Sequence, residues 1–173
     1  MQRIFWIILI ILLGMPFAYG LTLEGGVTYT VESARKEAFE GVKYKIPVSS
    51  FKEHLTDKNF EKNRKTKTSG VVEFSDRRVG WFSDASYAVM YNKNKYIVYY
   101  YNKTGKLTEI DYKSSLVRPI KIYKYTPKGK LQNVIFDISA NESFIYKLDG
   151  KLEAHWVGNN CYDEEGKLIL KRL

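Results

Sequence analysis

Hydrophobic and polar residues alternate from one position to the next through most of the second half of the chain. Short runs rich in Tyr, Val and Ile begin near residue 71, and Asp, Asn, Gly and Lys separate them, which is typical of β-strands joined by tight turns. Because successive side chains of a strand point to opposite faces, the pattern predicts that Leu152, Ala154 and Trp156 share one face. It places His155 on the opposite, solvent-exposed face.

One phrase recurs four times: a tyrosine, three variable residues, then Gly-Lys-Leu. The copies are residues 101–107, 125–131, 146–152 and 162–168. Four turn residues that end in glycine fit a type I turn followed by a left-handed glycine, so we predict four β-hairpins that bend at Gly105, Gly129, Gly150 and Gly166. The glycines are 24, 21 and 16 residues apart. Since a solenoid requires a fixed period, these unequal intervals favour an antiparallel meander.

The N-terminal part of the chain has a different pattern. Residues 1–20 have the features of a secretory signal peptide, with Arg3 before a short apolar run and a small-x-small site, so we predict cleavage after Gly20. An uncleaved membrane anchor is the alternative. Residues 32–40 favour a helix, and a capping box of Ser50 and Glu53 predicts the start of a second one.

The expected fold is therefore α+β and mostly β. Residues 71–173 are predicted to form an antiparallel meander of roughly 9–11 strands, either an open, curled sheet or a partial barrel. Residues 21–70 are expected to form an α/β segment with one or two short helices, packed on that sheet.

Composition changes this picture in two respects. The formal net charge is +9 and the chain has 14 tyrosines, so we expect attraction to acidic partners and aromatic residues on the strands. Cys161 is the only cysteine, so no intrachain disulfide can form. The two histidines, His54 and His155, are expected on the surface. No metal-ligand spacing, phosphate-binding loop or nucleophile elbow is present, so we predict neither a cofactor nor an enzymatic activity.

The repeated phrase resembles the YD repeat of large exported bacterial shell proteins and, more loosely, the MORN-variant repeats of small bacterial proteins. Residues 162–168 (YDEEGKL) keep the full YD phrase, and the other copies replace the aspartate with Asn102, Thr126 and Lys147. The resemblance covers residues 96–173. It implies stacked β-hairpins that serve as a scaffold or a contact surface, without catalytic residues.

These features predict an exported, periplasmic or extracellular, monomeric and non-enzymatic module. Its partner is expected to be acidic or carbohydrate-like: an envelope polymer, an anionic lipid headgroup or another envelope protein, and not a nucleic acid. The candidate contact residues are Tyr101, Tyr125, Lys106, Lys130 and His155. Two alternatives stay open at this point: a half-barrel carrier of an apolar ligand such as a lipid, and an exported hydrolase or toxin that uses one of the histidines.

Overall fold

A computed structural model of the chain describes residues 29–66 and 70–172. The described part has two α-helices, α1 (Val31–Phe39) and α2 (Phe60–Lys65), and two short 3-10 helices (Val48–Ser50 and Lys52–His54). Its strands are β1 (Gly70–Glu73), β2 (Arg77–Trp81), β3 (Tyr87–Tyr91), β4 (Ile97–Tyr101), β5 (Leu107–Lys113), β6 (Ile120–Tyr125), β7 (Leu131–Ser139), β8 (Glu142–Lys147), β9 (Leu152–Val157), β10 (Asn160–Tyr162) and β11 (Leu168–Lys171). The predicted signal peptide and its cleavage site lie outside the described residues.

The strands form one sheet in which each strand pairs antiparallel with its sequence neighbours, in the order β1 to β11. The predicted meander is thus confirmed, with eleven strands and an open sheet rather than a closed barrel. No helix within residues 29–66 and 70–172 is both long and apolar enough to cross a membrane.

The helices differ from expectation at one point. Helix α1 begins at Val31 because the Thr30 side chain accepts a hydrogen bond from the Ser33 amide, a capping arrangement, and the chain leaves it through Gly41 at φ 72°. The helix predicted to start at Ser50 is wrong. The Ser50 hydroxyl donates to the Pro47 carbonyl instead of capping a helix, and residues 48–54 form the two 3-10 turns.

The four predicted turns have the same backbone geometry. Gly105, Gly129, Gly150 and Gly166 have φ values of 75°, 75°, 82° and 78°. In every copy the glycine amide donates to the residue three positions earlier, and that residue's amide donates to the carbonyl of the repeat lysine. The four phrases are therefore hairpins of one kind, as the sequence indicated.

Each hairpin also contains a bulge just after the repeat leucine, in addition to the bulge expected at the glycine, and the sequence did not reveal it. In the third copy Tyr146 pairs with Leu152, but Ile145 pairs with Ala154, so Glu153 is an extra residue in its strand. The same shift follows the leucine in the other three copies. Because of this bulge Leu152 and Ala154 lie on opposite faces, and the predicted shared face of Leu152, Ala154 and Trp156 is wrong. His155 lies opposite Phe144, on the buried face.

The N-terminal segment, residues 29–66, covers one face of the sheet and completes the core. The tyrosines of two repeats reach across this core to its backbone: the Tyr125 hydroxyl donates to the Lys43 carbonyl (2.7 Å), and that of Tyr146 donates to the Val31 carbonyl (2.8 Å). Each bond satisfies a polar tip that burial would otherwise leave unpaired. The tyrosines of the second and third repeats therefore attach the segment to the sheet.

A buried polar network anchors the same segment near α2. Asp57 accepts hydrogen bonds from the Tyr87 hydroxyl (2.7 Å) and the Asn63 amide (2.8 Å). The Asn63 side-chain oxygen accepts from the guanidinium of Arg77, which is 1% exposed. Because every member has a partner, this network fixes the segment to β2 and β3 without leaving a buried charge unpaired.

Candidate functional site

The repeat turns lie together at one end of the sheet. In a meander, alternate connections fall at the same end, so the β4–β5, β6–β7, β8–β9 and β10–β11 turns form one row, which we call the hairpin rim (residues 102–106, 126–130, 147–151 and 163–167). Neighbouring turns are two strand spacings apart, roughly 10 Å. The lysine after each glycine, namely Lys106, Lys130, Lys151 and Lys167, is exposed.

Two turns of the rim hold the N-terminal segment through backbone hydrogen bonds. At the first copy, the Asp57 amide donates to the Gly105 carbonyl (2.8 Å) and the Leu107 amide donates to the Leu55 carbonyl (3.0 Å). Thr56 lies opposite the repeat lysine of this copy in an antiparallel bridge. Residues 55–57 thus form a short strand, which we call a guest tripeptide, alongside the backbone of the Gly-Lys-Leu residues 105–107.

The second copy is occupied in the same way. The Ile46 amide donates to the Gly129 carbonyl (2.9 Å), and the Leu131 amide donates to the Tyr44 carbonyl (3.0 Å). Lys45 lies between these bonds, directly opposite Lys130. Like charges that face each other across two strands destabilise the pairing, so this position favours an anion between the two side chains.

These contacts form a groove between the first two turns. Its volume is about 700 Å³, and it is lined by Lys45, Lys106, Lys128 and Lys130 together with Leu107, Thr126 and Pro127. We call this feature the lysine groove. None of these seven lining residues is acidic, so the four ammonium groups create a locally positive field that attracts anions.

Charge is distributed unevenly along the hairpin rim. The first two turns each carry two lysines and no acidic residue, whereas the third adds Asp149 to its two lysines. The fourth has one lysine against Asp163, Glu164 and Glu165. The excess of lysine over acidic residues is thus greatest at the first two turns, and it is reversed at the fourth.

Of the predicted contact residues, Lys106 and Lys130 lie in the groove, but both tyrosines are buried. Tyr101 is 0% and Tyr125 1% exposed, because the residue that ends the incoming strand points into the core. Burial raises the pKa of Tyr125 to about 12 and also raises the pKa of Tyr101. The prediction that these two tyrosines form part of an exposed contact surface is therefore wrong.

The predicted exposure of His155 is also wrong. The side chain is buried, its Nε2 atom lies 2.9 Å from Glu142 Oε1, and its ring stacks on Phe144 at 3.9 Å between centroids. The bulge at Glu153 is the cause, since it turns His155 from the outer face to the core. Burial at this position keeps the imidazole away from a ligand on the surface.

His54 is half-buried rather than fully exposed. Its ring is stacked on Tyr99 at 4.1 Å between centroids, and burial lowers its pKa. The two histidines therefore take part in separate aromatic contacts, His155 in the core and His54 at a half-buried position. Within residues 29–66 and 70–172, no group of three His, Cys, Asp or Glu side chains is placed to hold a metal ion.

The opposite face of the sheet carries a compact ionic cluster around Lys124. Lys124 forms ion pairs with Glu109 and, at 3.2 Å, with Asp111, whose other oxygen accepts a hydrogen bond from the Tyr100 hydroxyl (2.8 Å). Asp111 is 5% exposed, and burial raises the pKa of its carboxyl. The partners of this carboxylate all belong to the sheet, which is consistent with a structural role.

Comparison of the chain with protein-family models, with curated proteins and with solved structures finds no match. The candidate site therefore stands on geometry alone. Sequence reasoning missed two of its lysines. Lys128 could have been found, because it occupies a turn position of a repeat; Lys45 could not, because only the bridge to Lys130 brings it to the groove.

Proposed function

We propose that the protein is an exported, non-enzymatic binding module that recognises an anionic polymer through the lysine groove. The observation that carries this proposal is the convergence of four lysines, without an acidic residue, on one open groove. The unfavourable pairing of Lys45 with Lys130 supports it, since a bound anion would relieve the repulsion. The apolar N-terminal run and the resemblance to YD repeats favour an envelope or extracellular location.

The other two functions have weaker support. A half-barrel carrier would hold its apolar ligand against one face of the sheet, but the N-terminal segment packs on the face that bears the core. A hydrolase that used His155 would need a conformational change to expose an imidazole that is 3% accessible. The lysine groove is open without any such change.

The test is binding of defined anionic probes to the whole chain. We expect retention on a polyanion such as dextran sulfate, and binding to phosphatidylglycerol vesicles only if a lipid headgroup can enter the groove. Because each phosphate or sulfate contact releases a counterion, affinity should fall steeply with salt. Replacement of Lys106 and Lys130 with alanine should weaken binding. It should also reduce the slope of log affinity against log salt concentration by the amount expected for about two lost anion contacts.

A matched control distinguishes binding at the lysine groove from attraction by the net charge of the chain. Lys93 and Lys95 are exposed in the β3–β4 turn, at the opposite end of the sheet. The K93A/K95A variant loses the same two charges, yet we expect it to bind like the unaltered chain. Equal weakening in both double variants would show attraction by net charge alone and would overturn the proposed site.

A further inference from the structure

The last strand leaves one edge of the sheet open. Strand β11 ends the strand order, and within the described residues it pairs with β10 alone. Leu168, Ile169 and Leu170 are 50%, 51% and 56% exposed, and Lys167 and Lys171 flank them. An edge strand with exposed apolar side chains can serve as a template for another strand, which proteins normally prevent.

The occupied copies of the repeat show what such an edge binds. At both the first and the second hairpin, a guest tripeptide runs antiparallel to Gly-Lys-Leu. The guest residue opposite the glycine donates its amide to the glycine carbonyl, and the residue opposite the leucine accepts from the leucine amide. The middle guest residue lies opposite the lysine and makes neither bond. The chain thus contains two examples of the interaction.

The fourth copy has the same geometry, and no guest tripeptide pairs with it among residues 29–66 and 70–172. The Asp163 amide donates to the Lys167 carbonyl (3.0 Å), and the Gly166 amide donates to the Asp163 carbonyl (3.1 Å), as in the occupied copies. The register shift after Leu168 is also the same. By this equivalence, the Gly166 carbonyl and the Leu168 amide are directed away from β10, toward the open edge.

We propose that residues 166–172 bind an extended segment of a partner protein, which pairs antiparallel with β11 and carries acidic residues on both sides of an apolar centre. Addition of a strand to an open edge is a general mode of peptide recognition. Opposite charges across the strands favour acidic residues near Lys167 and Lys171. This proposal is independent of the lysine groove, which lies at the first two turns.

A second copy of the chain fits this edge less well. If two β11 strands paired antiparallel about Ile169, Lys167 of each would face Lys171 of the other, and such like-charge pairs are destabilising. The edge therefore selects against a second copy of itself, whereas acidic residues of a partner opposite Lys167 and Lys171 would pair with both lysines.

The test uses the blocked peptide Glu-Val-Thr-Val-Glu-Val, whose last valine would lie opposite Gly166 by analogy with Asp57 opposite Gly105. N-methylation of that valine removes the donated bond and should weaken binding about tenfold. N-methylation of the preceding glutamate, which lies opposite Lys167, is the matched control and should change the affinity little. Fluorescence anisotropy with the whole chain measures both affinities.

Two protein variants locate the binding site. K167E/K171E should lose the acidic peptide and gain an otherwise identical peptide with lysine in place of glutamate, whereas K106A/K130A should bind the acidic peptide normally. Loss of binding in K106A/K130A alone would place the peptide in the lysine groove and overturn the edge proposal, although it would support the proposed function. Equal effects of the two N-methyl groups, absence of binding, or a peptide-sensitive dimer in sedimentation would also overturn it.

Discussion

Replacement of Gly129 with alanine tests whether the repeat glycine serves the turn alone or also the docking of the N-terminal segment. Gly129 has φ +75°, and a Cβ atom there would lie 2.2 Å from the Ile46 carbonyl oxygen. This distance is about 1 Å shorter than van der Waals contact allows. The atom in the way belongs to the backbone, so it cannot move aside as a flexible side chain could. The Ile46 strand would therefore have to move away from the turn.

The expected loss of stability has two parts. A left-handed conformation costs a non-glycine residue about 1–2 kcal/mol, partly offset by about 0.4–1 kcal/mol from the stiffer unfolded chain. Displacement of Ile46 would in addition break its hydrogen bond to Gly129, worth about 0.5–1.5 kcal/mol, and loosen the contacts around it. We expect Gly129→Ala to lower the free energy of unfolding by about 1–3 kcal/mol.

Gly150 is the matched control. Its φ is +82°, but a Cβ atom would make only an ordinary contact, 3.5 Å from Arg35 Cδ. Gly150→Ala should thus carry the conformational part alone, about 1 kcal/mol. Gly105 is intermediate, because its Cβ atom would lie 2.7 Å from a ring carbon of Phe60, a side chain that can shift.

Urea denaturation of the three variants, followed by tyrosine fluorescence and circular dichroism, measures the differences. The order of destabilisation should be Gly150→Ala, then Gly105→Ala, then Gly129→Ala. Equal losses of unfolding free energy in Gly129→Ala and Gly150→Ala would show that glycine is needed at position 129 for the turn conformation alone. The inferred docking role would then be wrong.

Three further predictions follow from single groups. Tyr125→Phe leaves the Lys43 carbonyl without its hydrogen-bond donor and should lower the free energy of unfolding, measured in urea, by about 1 kcal/mol. Tyr101→Phe should leave the free energy of unfolding unchanged, because the Tyr101 hydroxyl has no partner among the described residues. Burial raises the pKa of the Asp111 carboxyl in the folded chain above its ordinary value of 3.8. The contribution of Asp111 to stability should therefore fall as the pH rises above 3.8. Denaturation series at several pH values should show this slope in the unaltered chain and not in Asp111→Asn. Cys161 is 3% exposed and burial raises its pKa, so a thiol reagent should modify it slowly until denaturant is added; rapid modification of the native chain would contradict its placement.

The sequence by itself determined the meander and its turns. The repeated Gly-Lys-Leu phrase is a local signal, because a type I turn with a left-handed glycine depends on a few adjacent residues, and all four glycines have that conformation. Strand alternation likewise depends on local period, and it located β-structure through residues 71–171. These features need no knowledge of the distant chain.

The tertiary structure decided which residues face a ligand. One extra residue at Glu153 reversed the face of His155, because a bulge shifts every later side chain by one position. Tyr101, Tyr125 and Tyr146 became core residues because residues 29–66 cover their face. Lys45 entered the groove only through its bridge to Lys130. Hydrophobic periodicity and amino-acid composition do not specify which distant residues pair. The groove could therefore be identified only from the folded structure.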